Sequence, residues 1–150
     1  MHRILFVCHG NICRSPMAEC VMADMAEKSG LTSEYWVASA ATSTEELGKP
    51  IHRGTRRKLE EEGVPLREHR AVQFHKSDYE KYNLILGMDS ANIHNLLRLA
   101  GGDRDGKVFR LLDFSSSPRD IADPWYTGDF DTAFRDILEG CQALMKRLSD

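Results

Sequence analysis

The sequence lacks any apolar run long enough to cross a membrane. A transmembrane helix requires roughly 20 apolar residues. The apolar run near the N-terminus covers only residues 4–7, and no small-residue cleavage site for export follows it. We therefore expect a cytoplasmic protein with no membrane partner.

Positive charge is also scarce, since 20 lysines and arginines stand against 23 aspartates and glutamates, for a net charge of −3. Nucleic-acid-binding domains are usually basic, so we expect no nucleic-acid partner. The hydrophobic fraction of 41% and the charged fraction of 29% are typical of a soluble globular protein. The chain fits one domain, residues 1–150, that is large enough to form a core. No feature of the sequence specifies an oligomeric state.

Cysteine is present at four positions, Cys8, Cys13, Cys20 and Cys141. Without an export signal, disulfide staples are not expected, and the thiols are predicted to be reactive or to lie in the core. Zinc sites favour closely spaced cysteine pairs that repeat along the chain, and this spacing does not match them. We therefore expect no metal site.

Short apolar runs typical of buried strands alternate along the chain with helical patterns. Strands are predicted at residues 3–8, 35–40, 83–88 and 107–112. Helices are predicted at residues 17–29, 51–62, 89–99 and 130–148, with a loop at 113–128 before the last one. This alternation predicts a single-domain α/β three-layer sandwich, with a four-stranded parallel sheet and helices on both faces.

Ligands of such sheets bind beyond the carboxyl ends of the strands, and the first predicted strand ends at Cys8. The loop that follows leads into a helix N-terminus, for which Ser15 is predicted as the N-cap and Pro16 as the first helical residue. Free N–H groups and the helix dipole attract negative charge there. Gly10 and Asn11 tolerate the left-handed backbone that turns successive N–H groups toward one anion. The loop therefore suits phosphate.

Cys8 and Arg14 give this loop its chemistry. The planar guanidinium of Arg14 can hold two phosphate oxygens at once. The same positive potential favours the thiolate form of Cys8, and Ser15 can donate a hydrogen bond to its sulfur. A thiolate beneath a bound phosphate is a nucleophile for phosphoryl transfer. The alternative is that Cys8 packs in the core as a small hydrophobic residue.

Residues 8–16, Cys-His-Gly-Asn-Ile-Cys-Arg-Ser-Pro, resemble the signature loop of the low-molecular-weight protein tyrosine phosphatases. The segments at residues 39–42, 69–73, 88–92 and 123–126 resemble further landmarks of that family, in the same order. The resemblance spans nearly the whole chain. It implies hydrolysis of phosphotyrosine in protein substrates, and of small aryl phosphates, through a phosphocysteine intermediate.

The resemblance also implies the roles of the site residues. Cys8 would be the nucleophile, Arg14 the phosphate clamp, and Asp123 the general acid that afterwards activates water. Without the resemblance, Asp123 and Asp120 would both be interpreted as solvated loop carboxylates. The other loop residues expected to bind the substrate are His9, Gly10, Asn11, Ile12, Cys13 and Ser15.

Trp125 and Tyr126 are expected to wall the cleft and to stack on an aromatic substrate, unless Trp125 instead packs its loop onto the last helix. Ser39, like Asn11, resembles a family position that braces the phosphate loop, the alternative being ordinary strand-end chemistry. His69 and Asp89 are candidates for a polar network behind the site, or are structural polar groups.

The chain departs from the family pattern at residues 44–47, Thr-Glu-Glu-Leu, where many members carry a tryptophan. We expect one aromatic wall to be missing there and acidic residues to line the rim. Cys13 suggests a second hypothesis: after oxidation of Cys8 it would trap the sulfenic acid as a reversible disulfide.

Three alternative functions share this loop or its fold. Thiol-dependent arsenate reductases need further redox cysteines near the end of the third strand, and residues 82–99 contain none. A phosphoarginine phosphatase subgroup resembles this loop but carries threonine where this chain has Ile12, which favours phosphotyrosine. A non-catalytic phosphate-binding module would have lost the nucleophile, the clamp or the acid. Because the loop amides and the clamp already neutralise phosphate, no metal or organic cofactor is expected.

Overall fold

The four predicted apolar runs form one parallel sheet with the strand order β2-β1-β3-β4 in a computed structural model that describes residues 1–150. The strands are β1 (His2–Cys8), β2 (Tyr35–Ala41), β3 (Leu84–Gly87) and β4 (Val108–Arg110). The predicted strand order along the chain is confirmed, although β3 and β4 are shorter than the sequence pattern indicates. Central β1 ends at Cys8, which pairs with Ala41 at the end of β2.

Helices cover both faces of this sheet, as the sequence predicts. They are α1 (Arg14–Lys28), α2 (Arg53–Glu61), α3 (Ser90–Ala100), α4 (Pro124–Thr127) and α5 (Phe130–Leu148). Short 3₁₀ turns cover Thr32–Glu34, Lys76–Lys81 and Leu111–Phe114. None of the helices combines the length and the apolar character that crossing a membrane requires. The single-domain α/β sandwich is thus confirmed.

The alternation of side chains along β1 fixes the position of Cys8, the candidate nucleophile, at the end of the strand. Successive side chains of a strand point to opposite faces of the sheet. Phe6 packs in the core beneath α1 and α5, whereas Leu5 and Val7 pack with Leu96 of α3 on the other face. A slip of one residue would exchange these buried faces, and burying one such side chain is worth about 1.5–3 kcal/mol. The register of β1 therefore fixes where Cys8 ends the strand.

The first helix begins earlier than the sequence predicts. Arg14 is its first residue and Cys13 occupies the N-cap position, so the prediction of Ser15 as the N-cap is wrong. The physical reason is that both the backbone N–H and the hydroxyl of Ser15 are directed at the sulfur of Cys8. Pro16 still lies in the first turn, where its missing N–H costs no helical hydrogen bond.

The predicted loop before the last helix contains a short helix of its own, α4. Asp123 is its N-cap, because Oδ1 accepts a hydrogen bond from the N–H of Trp125 at 3.0 Å, and Pro124 is the first helical residue. Upstream, the N–H of Ile121 donates to the carbonyl of Met88, just past β3, at 2.9 Å. Asp123 is therefore anchored beside the carboxyl ends of the strands.

Candidate active site

The sulfur of Cys8 lies at the focus of a ring of hydrogen-bond donors. Cys8 is only 3% exposed. Its Sγ accepts hydrogen bonds from the N–H groups of Asn11 at 3.3 Å and Ser15 at 3.4 Å, and lies 3.0 Å from the Ser15 hydroxyl. Hydrogen bonds to a charged group favour its charged form, so this ring stabilises a thiolate.

Asn11 braces this ring from behind. Its backbone is left-handed, with φ of 59°, which turns its N–H toward the sulfur. Its side-chain Nδ2 donates to Ser15 Oγ at 2.8 Å, and its Oδ1 accepts from the N–H of Val72 at 3.1 Å. Since the Ser15 oxygen is already an acceptor, its own hydrogen is free to donate to Cys8. The backbone and the side chain of Asn11 thus position two different donors.

His69 connects Asn11 to polar side chains in the interior of the protein. Its Nε2 lies 2.6 Å from Asn11 Oδ1 and 3.3 Å from Ser39 Oγ. The Ser39 hydroxyl donates to Glu19 Oε1 at 2.7 Å, so Nε2 carries the proton and donates to Asn11. Burial lowers the pKa of His69 despite the opposing charge of Glu19, which keeps the imidazole neutral. The polar network of His69 includes Glu19, which the sequence pattern did not indicate, whereas Asp89 lies apart from it, against Arg14.

Arg14 is buried beneath the cleft, with 2% of its surface exposed. Its NH1 donates to Asp89 Oδ2 at 2.7 Å and to the carbonyl of Ile121 at 2.8 Å, while NH2 donates to Asp123 Oδ2 at 3.3 Å. Burial acts to lower the pKa of Arg14, but the negative charges at Cys8, Asp123 and Asp89 outweigh it and raise that pKa.

The guanidinium is thereby oriented for a bidentate ligand. Its NH1 is held by Asp89 and by a backbone carbonyl, whereas its Nε is buried without any acceptor. The Nε–H and one NH2 hydrogen of an arginine form a fork that matches two oxygens of one anion. Asp89 is itself fixed as the N-cap of α3, where it accepts from the N–H of Asn92 at 2.8 Å.

The cleft above the sulfur collects most of the predicted binding residues. Its wall includes His9, Gly10, Ile12, Cys13, Trp125 and Tyr126. The other predicted residues do not line the cleft. Asn11 and Ser15 are buried on the side of the loop that faces the protein interior. His69 contacts both Asn11 and Ser39, and Asp89 contacts Arg14. Both aromatic residues line the cleft and remain open to solvent, with Trp125 52% and Tyr126 79% exposed. Trp125 meets the ring of His52 edge-on at 5.6 Å.

The opposite rim is acidic, where the family pattern would place a tryptophan. Glu45 Oε2 lies 2.9 Å from His9 Nε2, and Glu46 forms an ion pair with Lys49 at 2.5 Å. The side chain of Glu46 rests on Gly10, whose absent Cβ would lie 3.2 Å from Glu46 Cγ. Glu46 therefore forms part of the cleft wall.

The other cysteines differ from Cys8 in their surroundings. Burial, together with the nearby Cys8 and Asp123, raises the pKa of Cys13 to about 12, so that thiol stays protonated near neutral pH. Cys20 and Cys141 are buried in the core, as the sequence predicts. No group of three or more histidine, cysteine and carboxylate side chains is arranged to hold a metal ion.

Two site contacts have little or no signal in the sequence. Glu19 lies one turn beyond Ser15 on α1, and a charged residue on the buried face of a helix is the available clue. The carbonyl of Ile121, which orients Arg14, carries no signal at all, because any residue supplies a carbonyl.

Comparison with known proteins agrees with this geometry. The family model of the low molecular weight phosphotyrosine protein phosphatases matches residues 3–150. The low molecular weight protein-tyrosine-phosphatase YfkJ of Bacillus subtilis is 39% identical over 147 residues, which cover 97% of this chain and 94% of that protein. The low molecular weight protein-tyrosine-phosphatase PtpA of Staphylococcus epidermidis is 34% identical over 146 residues, covering 97% of this chain and 92% of that protein.

Solved structures give the same result. The crystal structure of YfkJ superposes with a TM-score of 0.94 at 38% identity, covering 99% of this chain and 95% of that chain. The crystal structure of DARP, a drosophila arginine phosphatase, superposes with a TM-score of 0.89 at 25% identity, covering 98% of each chain. The resemblance seen in the sequence is confirmed: this chain belongs to the low molecular weight protein-tyrosine-phosphatase family and is a phosphatase.

Proposed function

We propose that the protein hydrolyses phosphotyrosine in phosphoprotein substrates, in the cytoplasm, through a phosphocysteine intermediate. Cys8 is the nucleophile, Arg14 the phosphate clamp and Asp123 the general acid and base. The observation that carries the proposal is the convergence on one cleft of the donor-ringed sulfur of Cys8, the guanidinium of Arg14 and the carboxylate of Asp123.

In the first step the thiolate of Cys8 attacks phosphorus and forms an S–P bond, while the P–O bond to the tyrosine breaks. As the phosphate displaces it from Arg14, the Asp123 carboxylate takes up a proton from solvent, and it gives this proton to the departing phenolate oxygen. Arg14 holds two of the equatorial oxygens, and the N–H groups of the loop bind the same charge. Trp125 and Tyr126 lie where the aromatic ring of the substrate would stack.

In the second step Asp123, now a carboxylate, takes a proton from water. The water oxygen attacks phosphorus, the S–P bond breaks, and Cys8 is restored as a thiolate. The ring of donors formed by Asn11 and Ser15 stabilises this leaving thiolate. The cycle needs no electron donor and consumes one water for each phosphate released.

Steady-state hydrolysis of para-nitrophenyl phosphate and of a phosphotyrosine peptide, without added metal, tests this mechanism. We expect Cys8→Ser to remove activity and Asp123→Asn to lower kcat by about 10²–10⁴-fold, the range for loss of general acid catalysis. Asp120→Asn is the matched control, because Asp120 lies on the same segment but binds Ser90 and Arg110 rather than the cleft. Retention of activity by Cys8→Ser would rule out the thiolate mechanism.

Phosphoarginine hydrolysis is the second candidate, favoured by the structural likeness to the drosophila arginine phosphatase. Ile12 lies in the cleft wall at 7% exposure and offers the leaving group only an apolar surface. We expect turnover of a phosphotyrosine peptide to exceed that of a matched phosphoarginine peptide, and Ile12→Thr to narrow the difference. Faster phosphoarginine turnover by the unaltered protein would reverse the assignment.

A further inference from the structure

A groove leaves the active-site cleft beside Trp125. It shares the side chains of Ile12, Glu46 and Trp125 with the wall of the cleft, so the two are continuous. The cavity volume of this groove is about 410 Å³. A peptide whose phosphotyrosine occupies the cleft would pass into this groove with its neighbouring residues.

The far side of the groove is formed by the start of α2. His52 and Arg53 line it, and both also line the next cavity of about 370 Å³, which extends to Arg57. The groove therefore continues from the cleft along the first turns of α2.

The first turn of α2 is held firmly in place. The ring of His52 stacks on Phe130 of α5 at 5.4 Å and meets Trp125 edge-on at 5.6 Å. Gly54 lies so close to Phe130 that a Cβ there would be 2.3 Å from the ring, so only glycine allows this contact. Arg53 is consequently presented from a fixed backbone rather than from a loop.

The acidic side chains along both cavities already have partners. These are Lys49 for Glu46, Lys58 for Glu61 and Asp131, and the start of α5 for Asp129. Lys58 also pairs with Glu62, so its single charge is shared among three carboxylates, and none of these acidic side chains contacts Arg53 or Arg57.

Arg53 in the groove and Arg57 in the next cavity have no such partner. Arg53 and Arg57 are exposed and form no ion pair or side-chain hydrogen bond, although Arg56 between them binds both carboxylate oxygens of Glu68. Two guanidinium groups without an intramolecular partner therefore remain available beside the active site. Guanidinium groups bind carboxylates in a bidentate manner.

We propose that Arg53, assisted by Arg57 one turn further along α2, selects phosphoprotein substrates that carry aspartate or glutamate close to the phosphorylated residue. The inference rests on the proposed phosphotyrosine hydrolysis at Cys8 and defines which substrates that site prefers. The acidic residues would enter the groove, where Glu46 is already paired with Lys49, rather than pass over the rim at Glu45.

The test compares kcat/KM for three phosphotyrosine peptides that differ only in flanking residues, which are acidic, glutamine or lysine. The proteins are the wild type, Arg53→Ala, Arg53→Glu and Arg98→Ala. Arg98 is the matched control, an exposed arginine of α3 whose only side-chain partner is Asn95. Each protein is also assayed on para-nitrophenyl phosphate, which does not reach the groove.

We expect the wild type to prefer the acidic peptide over the glutamine peptide by about three- to fivefold, the size of an exposed ion pair. The preference should shrink as salt is raised, because exposed charges are screened. Arg53→Ala should reduce it, Arg53→Glu should reverse it in favour of the lysine peptide, and Arg98→Ala should leave it intact. Turnover of para-nitrophenyl phosphate should be the same in all four proteins.

Two failures are distinguishable in this design. Equal kcat/KM on the three peptides, or an acidic preference that survives Arg53→Glu, overturns the role of Arg53 while phosphotyrosine hydrolysis itself stands. If the wild type hydrolyses para-nitrophenyl phosphate but none of the phosphotyrosine peptides, both the proposed function and the inference that rests on it are wrong.

Discussion

The NH2 group of Arg14 lies 3.3 Å from Oδ2 of Asp123, so the proposed phosphate clamp and the proposed general acid form an ion pair across the cleft. NH1 of the same guanidinium is held by Asp89 and by the carbonyl of Ile121. Only NH2 therefore has to change partner when a phosphate binds. The carboxylate of Asp123 competes with the substrate for this donor, and its negative charge opposes the incoming dianion.

Asp123→Asn should separate phosphate binding from catalysis. We expect inorganic phosphate to become a stronger competitive inhibitor by about fivefold, which corresponds to the roughly 1 kcal/mol of a weak ion pair. At the same time kcat should fall by about 10²–10⁴-fold, because no proton is supplied to the leaving group. Measurement of the inhibition constant and kcat together checks this. An unchanged or weaker affinity for phosphate would mean that the ion pair does not compete with the ligand.

Ser15→Ala should remove one of the contacts that stabilise negative charge on the sulfur of Cys8. The change removes the hydroxyl that lies 3.0 Å from the sulfur, and a hydrogen bond to a charged group is worth about 1.5–3 kcal/mol. We expect the rate of Cys8 alkylation by iodoacetamide to fall by at least about tenfold. Ser15→Thr, which keeps a hydroxyl, should restore most of that rate. Equal alkylation rates for Ser15→Ala and the wild type would exclude Ser15 as a donor to the sulfur.

The sequence predicts those parts of the site that follow from local pattern. The apolar run of β1 and the loop from Cys8 to Ser15 are contiguous, so the proposed nucleophile, anion-binding loop and clamp can all be located from the order of residues alone. Trp125 and Tyr126 are likewise assigned from their adjacency to Asp123 in a family landmark. Such features depend on residues that are neighbours along the chain.

The rest depends on contacts between distant segments. Arg14 and Asp123 are separated by 109 residues, and no local pattern reports the distance between them. The N-cap prediction for Ser15 is wrong for a different, local reason: the hydroxyl that a cap would direct at a helical N–H instead contacts Cys8 and Asn11 within the loop. Glu19 escapes prediction because helical periodicity distinguishes buried from exposed positions but does not identify the partner of a buried carboxylate.

His69 should make the stability of the protein sensitive to mild acid. Burial lowers its pKa below the ordinary value of about 6.5. Between the two pKa values, the histidine is therefore protonated in the unfolded chain and neutral in the folded protein. Stability is therefore complete above about pH 6.5 and is lost as the pH falls from there toward the lowered pKa.

His69→Gln tests this sign, because glutamine can still donate a hydrogen bond to Asn11 but does not titrate. We expect the drop in Tm between about pH 7.5 and about pH 5 to be smaller in His69→Gln than in the wild type. His94→Gln, at an exposed histidine of α3, is the control and should show the wild-type drop. An identical pH dependence in wild type and His69→Gln would show that His69 is not the titrating group.

Oxidation should join Cys8 to Cys13. Both side chains line the same cleft, and peroxide converts the Cys8 thiolate to a sulfenic acid, from which the Cys13 thiol displaces water to form a disulfide. Because the pKa of Cys13 is raised to about 12, chiefly by burial, its attacking thiolate is scarce near neutral pH and becomes more abundant as pH rises. The ratio of disulfide to Cys8 sulfinic acid, measured by mass spectrometry after mild peroxide, should therefore increase with pH. In Cys13→Ser, peroxide should give the Cys8 sulfinic acid at every pH. If the wild type also gives Cys8 sulfinic acid and keeps Cys13 as a free thiol, Cys13 does not protect Cys8.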